Sequence, residues 1–138
     1  MPVNARQLFG RAAEEAAARY LIHDGWRLLG RNVRIGRGEL DIVARRGPVL
    51  AFVEVKARRT RTCGAPEDAV GAAKRRQIAR LAELWLAARP WALTGVDEVR
   101  FDIVAVDSAA FPALSVICRR RSRSTGRGGR TVARQHRQ

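Results

Sequence analysis

The sequence contains few of the residues that build disulfide frameworks or zinc sites. It has two cysteines and two histidines among 138 residues, and their spacing is not that of metal ligands. It also lacks a run of about 18 apolar residues that could span a membrane, and its first residues do not form the continuous apolar segment of a secretory signal. We therefore expect a cytoplasmic protein without a membrane span, whose cysteines are free thiols.

Acidic residues are also scarce. The chain has 27 basic and 13 acidic side chains and a net charge of +14, which suits a polyanionic partner such as nucleic acid. Residues 119–138 contribute +8 through eight arginines, and the remaining residues contribute +6 from 19 basic and 13 acidic side chains. The length and this charge distribution predict one domain over residues 1–118 and an arginine-rich tail, residues 119–138, that is disordered in isolation.

Two of the acids lie on neighbouring apolar segments of strand type. Residues 38–44 and 49–56 are separated by the turn residues 45–48, a pattern that predicts a β-hairpin. If the two strands pair antiparallel across this turn, positions whose numbers add up to 95 lie opposite each other. This register places Asp41 opposite Glu54.

The second strand is apolar on both faces, which predicts that it is buried. The last two residues on one of these faces, however, are the charged residues Glu54 and Lys56. A buried carboxylate is costly unless it is paired or binds a metal. An ion pair, a metal site and an exposed strand end are therefore the three interpretations of this segment. Because two adjacent carboxylates, Asp41 and Glu54, would repel each other unless a cation lay between them, the pattern favours a divalent ion with oxygen ligands.

Lysine is rare in this chain. Only Lys56 and Lys74 among the 27 basic residues are lysines, and the others are arginines. A compact ammonium group can polarise a water molecule, whereas a guanidinium group does not readily give up its proton. The presence of lysine at position 56 therefore favours a chemical role for this residue.

Several motifs together resemble a known family. In chain order they are Gly10, Glu14, Ala17, Tyr20-Leu21, Asn32, Gly38-Glu39-Leu40-Asp41, Phe52-Val53-Glu54-Val55-Lys56-Ala57-Arg58, Gly64, Lys74 and Arg100-Phe101-Asp102. This set resembles the YraN-like family of small bacterial endonuclease-like proteins, which are similar to archaeal Holliday-junction resolvases and have the core motif of the PD-(D/E)xK nuclease superfamily. The resemblance covers residues 5–107, and Ala13 departs from it where the family usually has glycine.

The resemblance implies an α/β, restriction-endonuclease-like fold, with a central mixed β-sheet flanked by helices. It also implies a metal-dependent endonuclease that hydrolyses phosphodiester bonds of DNA, including branched or repair-intermediate DNA. The expected catalytic residues are Asp41, Glu54 and Lys56, and the expected cofactor is Mg²⁺ or Mn²⁺.

The expected metal ligands are Asp41 and Glu54, together with two groups that the resemblance adds. These are the peptide carbonyl of Val55 and the carboxylate of Glu14 on the first helix. The spacing alone allows Glu14 to lie on a solvated helix face, paired with a nearby arginine. Glu39 shares a strand face with Asp41, and we expect it to be an outer hydrogen-bond acceptor rather than a ligand.

Basic residues that follow the candidate site are expected to contact the DNA backbone. They are Arg58, Arg59, Arg61, Lys74 and Arg75. A homodimer is expected by analogy with junction resolvases, which use two sites. The alternative function is a non-catalytic nucleic-acid-binding protein with a nuclease-like fold, and a third is an arginine-rich module that binds an acidic protein.

Apolar spacing predicts two helices, over residues 4–24 with Asn4 as the N-cap and over residues 66–88. Trp85 and Trp91 are predicted to pack rather than to stack on bases. Further strands are predicted over residues 26–35, 99–106 and 114–118. Asp102, on one of these strands, is expected to be structural or peripheral.

Overall fold

The computed structural model describes residues 4–58, 71–107 and 116–123. The described residues form two α-helices, five strands and a short 3₁₀-helix. In chain order these are α1 (Ala5–His23), β1 (Arg27–Ile35), β2 (Gly38–Arg46), β3 (Val49–Arg58), α2 (Ala72–Ala88), the 3₁₀-helix (Pro90–Leu93), β4 (Glu98–Asp107) and β5 (Val116–Arg123).

The strands form one mixed sheet in the order β1-β2-β3-β4-β5. Strands β1, β2 and β3 pair antiparallel, β3 and β4 pair parallel, and β4 and β5 pair antiparallel. A parallel pair needs a long crossover connection, and α2 lies in the one between β3 and β4. The predicted mixed α/β architecture is confirmed, and β5 runs to Arg123, past the predicted end of the domain at residue 118.

The hairpin of β2 and β3 has the predicted register. Its paired residues run from Arg46 opposite Val49 to Ile42 opposite Val53, so each pair adds up to 95. Alternate residues of β3 pack on opposite faces of the sheet, Ala51 and Val53 in one buried cluster and Leu50 and Phe52 in the other. The prediction of a strand buried on both faces is therefore also confirmed.

Helix α1 covers one face of the sheet. Its N-terminus is a capping box in which Asn4 accepts a hydrogen bond from the Gln7 backbone N–H and Gln7 reaches back to the Asn4 N–H. The buried side of the helix consists mainly of small residues, which allow close approach to the strands. These buried residues are Ala13, Ala17, Ala18 and Leu21.

Helix α2 covers the other face with Ile78, Leu81, Ala82 and Trp85. The Trp85 ring packs edge-on against Phe52 of β3 at a centroid distance of 5.9 Å, as expected for a packing residue. Residues 66–70 of the predicted helix lie outside the described residues. No helix in the described part of the chain is long and apolar enough to cross a membrane.

Two further predictions concern single residues. Trp91 packs edge-on against Trp85 at a centroid distance of 6.2 Å, although 57% of it is exposed. Asp102 is buried and accepts a hydrogen bond from Arg100, whose guanidinium lies over the Trp26 ring. Asp102 is therefore structural, as predicted.

Candidate metal centre

The candidate site lies where β2 and β3 stop pairing. The ladder ends at Ile42 opposite Val53, and the next residue of β2, Asp41, replaces a backbone pair with a side-chain contact. Its Oδ2 accepts a hydrogen bond of 2.8 Å from the backbone N–H of Val55. The Asp41 carboxylate is thereby fixed at the end of the hairpin, beside Glu54.

The face alternation of β2 also changes at this point. Leu40 and Val43 both pack in the cluster under α2, whereas Ile42 packs in the cluster under α1. On the neighbouring strand, Asn32 lies between the residues paired with Leu40 and Ile42 and has φ of 48°. Asn tolerates this left-handed conformation better than most residues, and such residues are frequent at functional sites. The irregularity thus coincides with Asp41.

Three carboxylates converge next to this irregularity. One oxygen each from Glu14 on α1 and from Glu39 and Asp41 on β2 lies within 4.8 Å of the other two. All three side chains are half-buried. The helix and the strand end therefore bring together acids that are far apart in the sequence.

Glu14 differs from its neighbour Glu15. Burial, followed by the charges of Asp41 and Glu39, raises the pKa of Glu14, while Arg31 and a hydrogen bond from Asn32 oppose this shift. Glu15 instead forms ion pairs of 2.9 Å with Arg31 and 3.2 Å with Arg19. The solvated, arginine-paired position considered for Glu14 is thus occupied by Glu15.

Glu54 approaches Asp41 from β3. Burial, followed by the Asp41 charge, raises the pKa of Glu54 from its ordinary value of 4.5 to about 7. The charges of Lys74 and Lys56 oppose this shift, and Lys74 Nζ lies 3.8 Å from Oε1 of Glu54. A cation between these acids would relieve the repulsion by Asp41 that contributes to the raised pKa of Glu54.

The group of three converging oxygens includes Glu39 but not Glu54. Glu39 was expected to be an outer acceptor, and Arg34 Nε lies 3.9 Å from its carboxylate. Its position beside Glu14 and Asp41 would bring it within reach of an ion held by those two acids. Hard carboxylate oxygens of this number and spacing fit Mg²⁺ or Mn²⁺ rather than zinc.

Comparison with known proteins places the chain in a family. The model of the uncharacterised protein family UPF0102 matches residues 13–106. The chain belongs to this family. Among its relatives are UPF0102 proteins of Symbiobacterium thermophilum, 49% identical over 71% of this chain and 80% of the relative, and of Syntrophotalea carbinolica, 50% identical over 73% and 80%. One from Nocardia farcinica is 45% identical over 75% of this chain and 80% of its own length.

The segment that matches UPF0102 contains every acid of the candidate site, but only part of the predicted DNA-contact set is described. Arg58 ends β3, whereas Arg59 and Arg61 lie outside the described residues. Arg75 is exposed on α2. Lys74 was predicted to contact DNA and in this structure contacts Glu54.

Two residues of this UPF0102 protein act on the acids, although their sequence positions predict no chemical role for them. Asn32 donates a hydrogen bond to Glu14, and the charge of Arg31 acts on the same carboxylate. The available signal was an Asn inside a strand-type segment, a residue that is disfavoured in regular strands and favoured where φ is positive. That signal marks an irregular position but does not identify its partner.

Proposed function

We propose that this UPF0102 protein is a metal-dependent DNA endonuclease with a restriction-endonuclease-like fold, in the PD-(D/E)xK superfamily. The observation that carries the proposal is the meeting of Glu14, Glu39 and Asp41 at the open end of the β2–β3 hairpin, with Glu54 and Lys56 alongside. The substrate is a phosphodiester bond of DNA, including branched or repair-intermediate DNA.

The residues that would hold Mg²⁺ or Mn²⁺ are Asp41, Glu54, Glu14 and the peptide carbonyl of Val55, and Glu39 lies within reach of an ion at this position. When bound, such an ion lowers the pKa of a water molecule and neutralises charge on a phosphate. Asp41 is pre-positioned for this task because the Val55 N–H fixes one of its oxygens. Glu14 is supported by Asn32 and Arg31 from β1.

Lys56 would orient or deprotonate the attacking water. It follows Glu54 by two positions on β3 and is half-buried. The ammonium group can donate to the water or, once deprotonated, accept its proton. The strand places Glu54 and Lys56 on the same face.

The net charge of +14 supports a nucleic-acid partner. Exposed arginines beside the acid cluster, such as Arg34, can contact phosphates while the acids hold the cation. A homodimer with two such sites remains a proposal by analogy with junction resolvases.

The proposal is tested by incubating the purified protein with Mg²⁺ and branched, single-stranded and duplex DNA. Asp41→Asn, Glu54→Gln and Lys56→Ala are each expected to abolish cleavage and to retain most DNA binding. Mg²⁺-dependent nicking that survives in all three variants would reject the assignment.

A second candidate is a DNA- or RNA-binding protein whose nuclease-like fold no longer cleaves. The +14 charge favours this function as well. It predicts that neither Mg²⁺ nor Mn²⁺ binds at Asp41, so a metal titration of the purified protein separates the two functions.

A further inference from the structure

Lys74 extends from α2 to the candidate metal centre. Its Nζ lies 3.8 Å from Oε1 of Glu54, and this ion pair joins a lysine side chain that is 42% exposed to a carboxylate that is only 11% exposed. Residue 74 lies in the first turn of α2. The lysine therefore reaches Glu54 from the solvent side of the site.

Both lysines of the chain act on the same carboxylate. The charges of Lys74 and Lys56 are each coupled to Glu54, whereas the remaining basic residues are arginines. A guanidinium group binds a carboxylate through two parallel hydrogen bonds, but an ammonium group acts as a single point charge. Another cation can therefore replace the Lys74 ammonium group, which lies 3.8 Å from the Glu54 carboxylate.

Glu54 interacts with Asp41 through a side-chain hydrogen bond and also with Lys74. The oxygens of Glu14, Glu39 and Asp41 lie within 4.8 Å of one another, and Glu54 is not part of that group. Lys74 gives Glu54 a positive partner outside the group. An ion that binds Asp41 and Glu54 together has to compete with Lys74 for the Glu54 carboxylate.

We propose that Lys74 is a displaceable counter-ion of Glu54, which neutralises this carboxylate in the metal-free protein and is released to contact a DNA phosphate when a divalent ion binds. The inference rests on the proposed nuclease function. Release is feasible because the ion pair is long, at 3.8 Å, and because the flexible Lys74 side chain is 42% exposed. Lys74 thereby couples occupation of the metal site to DNA binding.

The first test is the Mn²⁺ affinity of the full chain, measured by calorimetry without DNA at pH 8, above the Glu54 pKa of about 7, so that protons compete little with the ion. Because Lys74 competes with the ion, Lys74→Met is expected to bind Mn²⁺ about two- to fivefold more tightly than wild type. Lys74→Arg keeps the charge and is expected to stay closer to the wild-type value. Arg76→Met removes one charge from an exposed position of the same helix and serves as the matched control.

The outcomes separate the inference from the function on which it rests. Unchanged or weaker Mn²⁺ binding by Lys74→Met, or an equal gain in Arg76→Met, overturns the role of Lys74 and leaves the nuclease proposal standing. Absence of Mn²⁺ binding by the wild-type protein overturns the nuclease proposal itself. Tighter binding by Lys74→Met alone supports the counter-ion.

A second test measures release toward DNA. In a Lys56→Ala background, which is expected not to cleave, duplex affinity is measured by fluorescence anisotropy with and without Mn²⁺. The additional Lys74→Met change is expected to reduce affinity at least threefold more with Mn²⁺ than without it, because only the released lysine reaches the phosphate. An equal loss under both conditions contradicts the release of Lys74.

Discussion

Asp41 and Val55 are joined across β2 and β3 by a hydrogen bond of 2.8 Å, which the Val55 N–H donates to Oδ2 of Asp41. The contact continues the hairpin by one step beyond its last backbone pair, Ile42 with Val53. The same carboxylate belongs to the group of three acids. One side chain therefore both closes the strand pair and faces Glu14 and Glu39.

Substitutions of Asp41 should separate these two roles. Asp41→Asn retains an acceptor for the Val55 N–H, and we expect its free energy of unfolding to lie within about 1 kcal/mol of the wild-type value. Asp41→Ala leaves that N–H without its partner, and its free energy of unfolding should be about 1–3 kcal/mol lower than that of wild type. Both variants should lose Mn²⁺ binding. Urea unfolding and a Mn²⁺ titration provide the measurements, and equal stability of the two variants would argue against the structural role.

The pKa of Glu54 predicts how the stability of the metal-free protein depends on pH. Its carboxyl has a pKa of about 7 in the folded protein, raised from 4.5 mainly by burial and then by Asp41. Below pH 4.5 the group is protonated in both states, and as pH rises through 7 the unfolded chain releases the proton first. The contribution of this group to the free energy of unfolding is therefore highest at low pH. It should fall by on the order of 3 kcal/mol as the pH rises from 4.5 through 7.

Glu54→Gln is the matched variant for this pH dependence because it keeps the shape of the protonated acid. In the presence of EDTA, the free energy of unfolding of Glu54→Gln minus that of wild type should increase as the pH rises from 4.5 to 8, because only the wild type has a carboxylate to ionise at this position. Urea unfolding at several pH values measures the difference. Saturating Mn²⁺ at pH 8 should restore the stability of the wild-type protein but not that of the variant. If the free energies of unfolding of the two proteins change with pH in parallel, the raised pKa of Glu54 is contradicted.

Gly38 at the start of β2 is expected to be required by the packing of α2. A Cβ at this position would lie 2.6 Å from Cδ1 of Leu81, and Leu81 is buried under the sheet. Gly38→Ala should therefore lose about 1–3 kcal/mol in urea unfolding. Gly10→Ala is the control, because a Cβ there meets nothing within 4 Å on α1, and it should gain about 0.5–1 kcal/mol. A loss in both variants would point to a cause other than Leu81.

The register of the central hairpin could be predicted because two local rules agree there. The turn at Gly47 and Pro48 fixes which positions are opposite, and the period of two fixes which residues share a face. The same rules place Asp41 near Glu54. The structure confirms the register over the paired residues, Ile42–Arg46 with Val49–Val53.

The remaining features of the site depend on contacts between distant segments. The rules for regular strands do not predict a side chain that replaces a backbone partner, as Asp41 does with Val55. These rules predict that Glu39 and Asp41 share a strand face. They do not predict that Glu14 of α1 lies next to both of them. The contact between Lys74 and Glu54 arises from packing of α2 on the sheet, which hydrophobic spacing predicts only as a buried face.

Asn32 is predicted to have two separable roles, in the backbone of β1 and in the support of Glu14. Its φ of 48° is strained for most side chains, so Asn32→Ala should lose about 1 kcal/mol in urea unfolding, whereas Asn32→Gly should not. Both variants lose the hydrogen bond that favours the charged form of Glu14, and each should bind Mn²⁺ about two- to tenfold more weakly at neutral pH. Wild-type Mn²⁺ affinity in Asn32→Gly would show that the amide does not support the site, and equal stability of the Ala and Gly variants would exclude the backbone role.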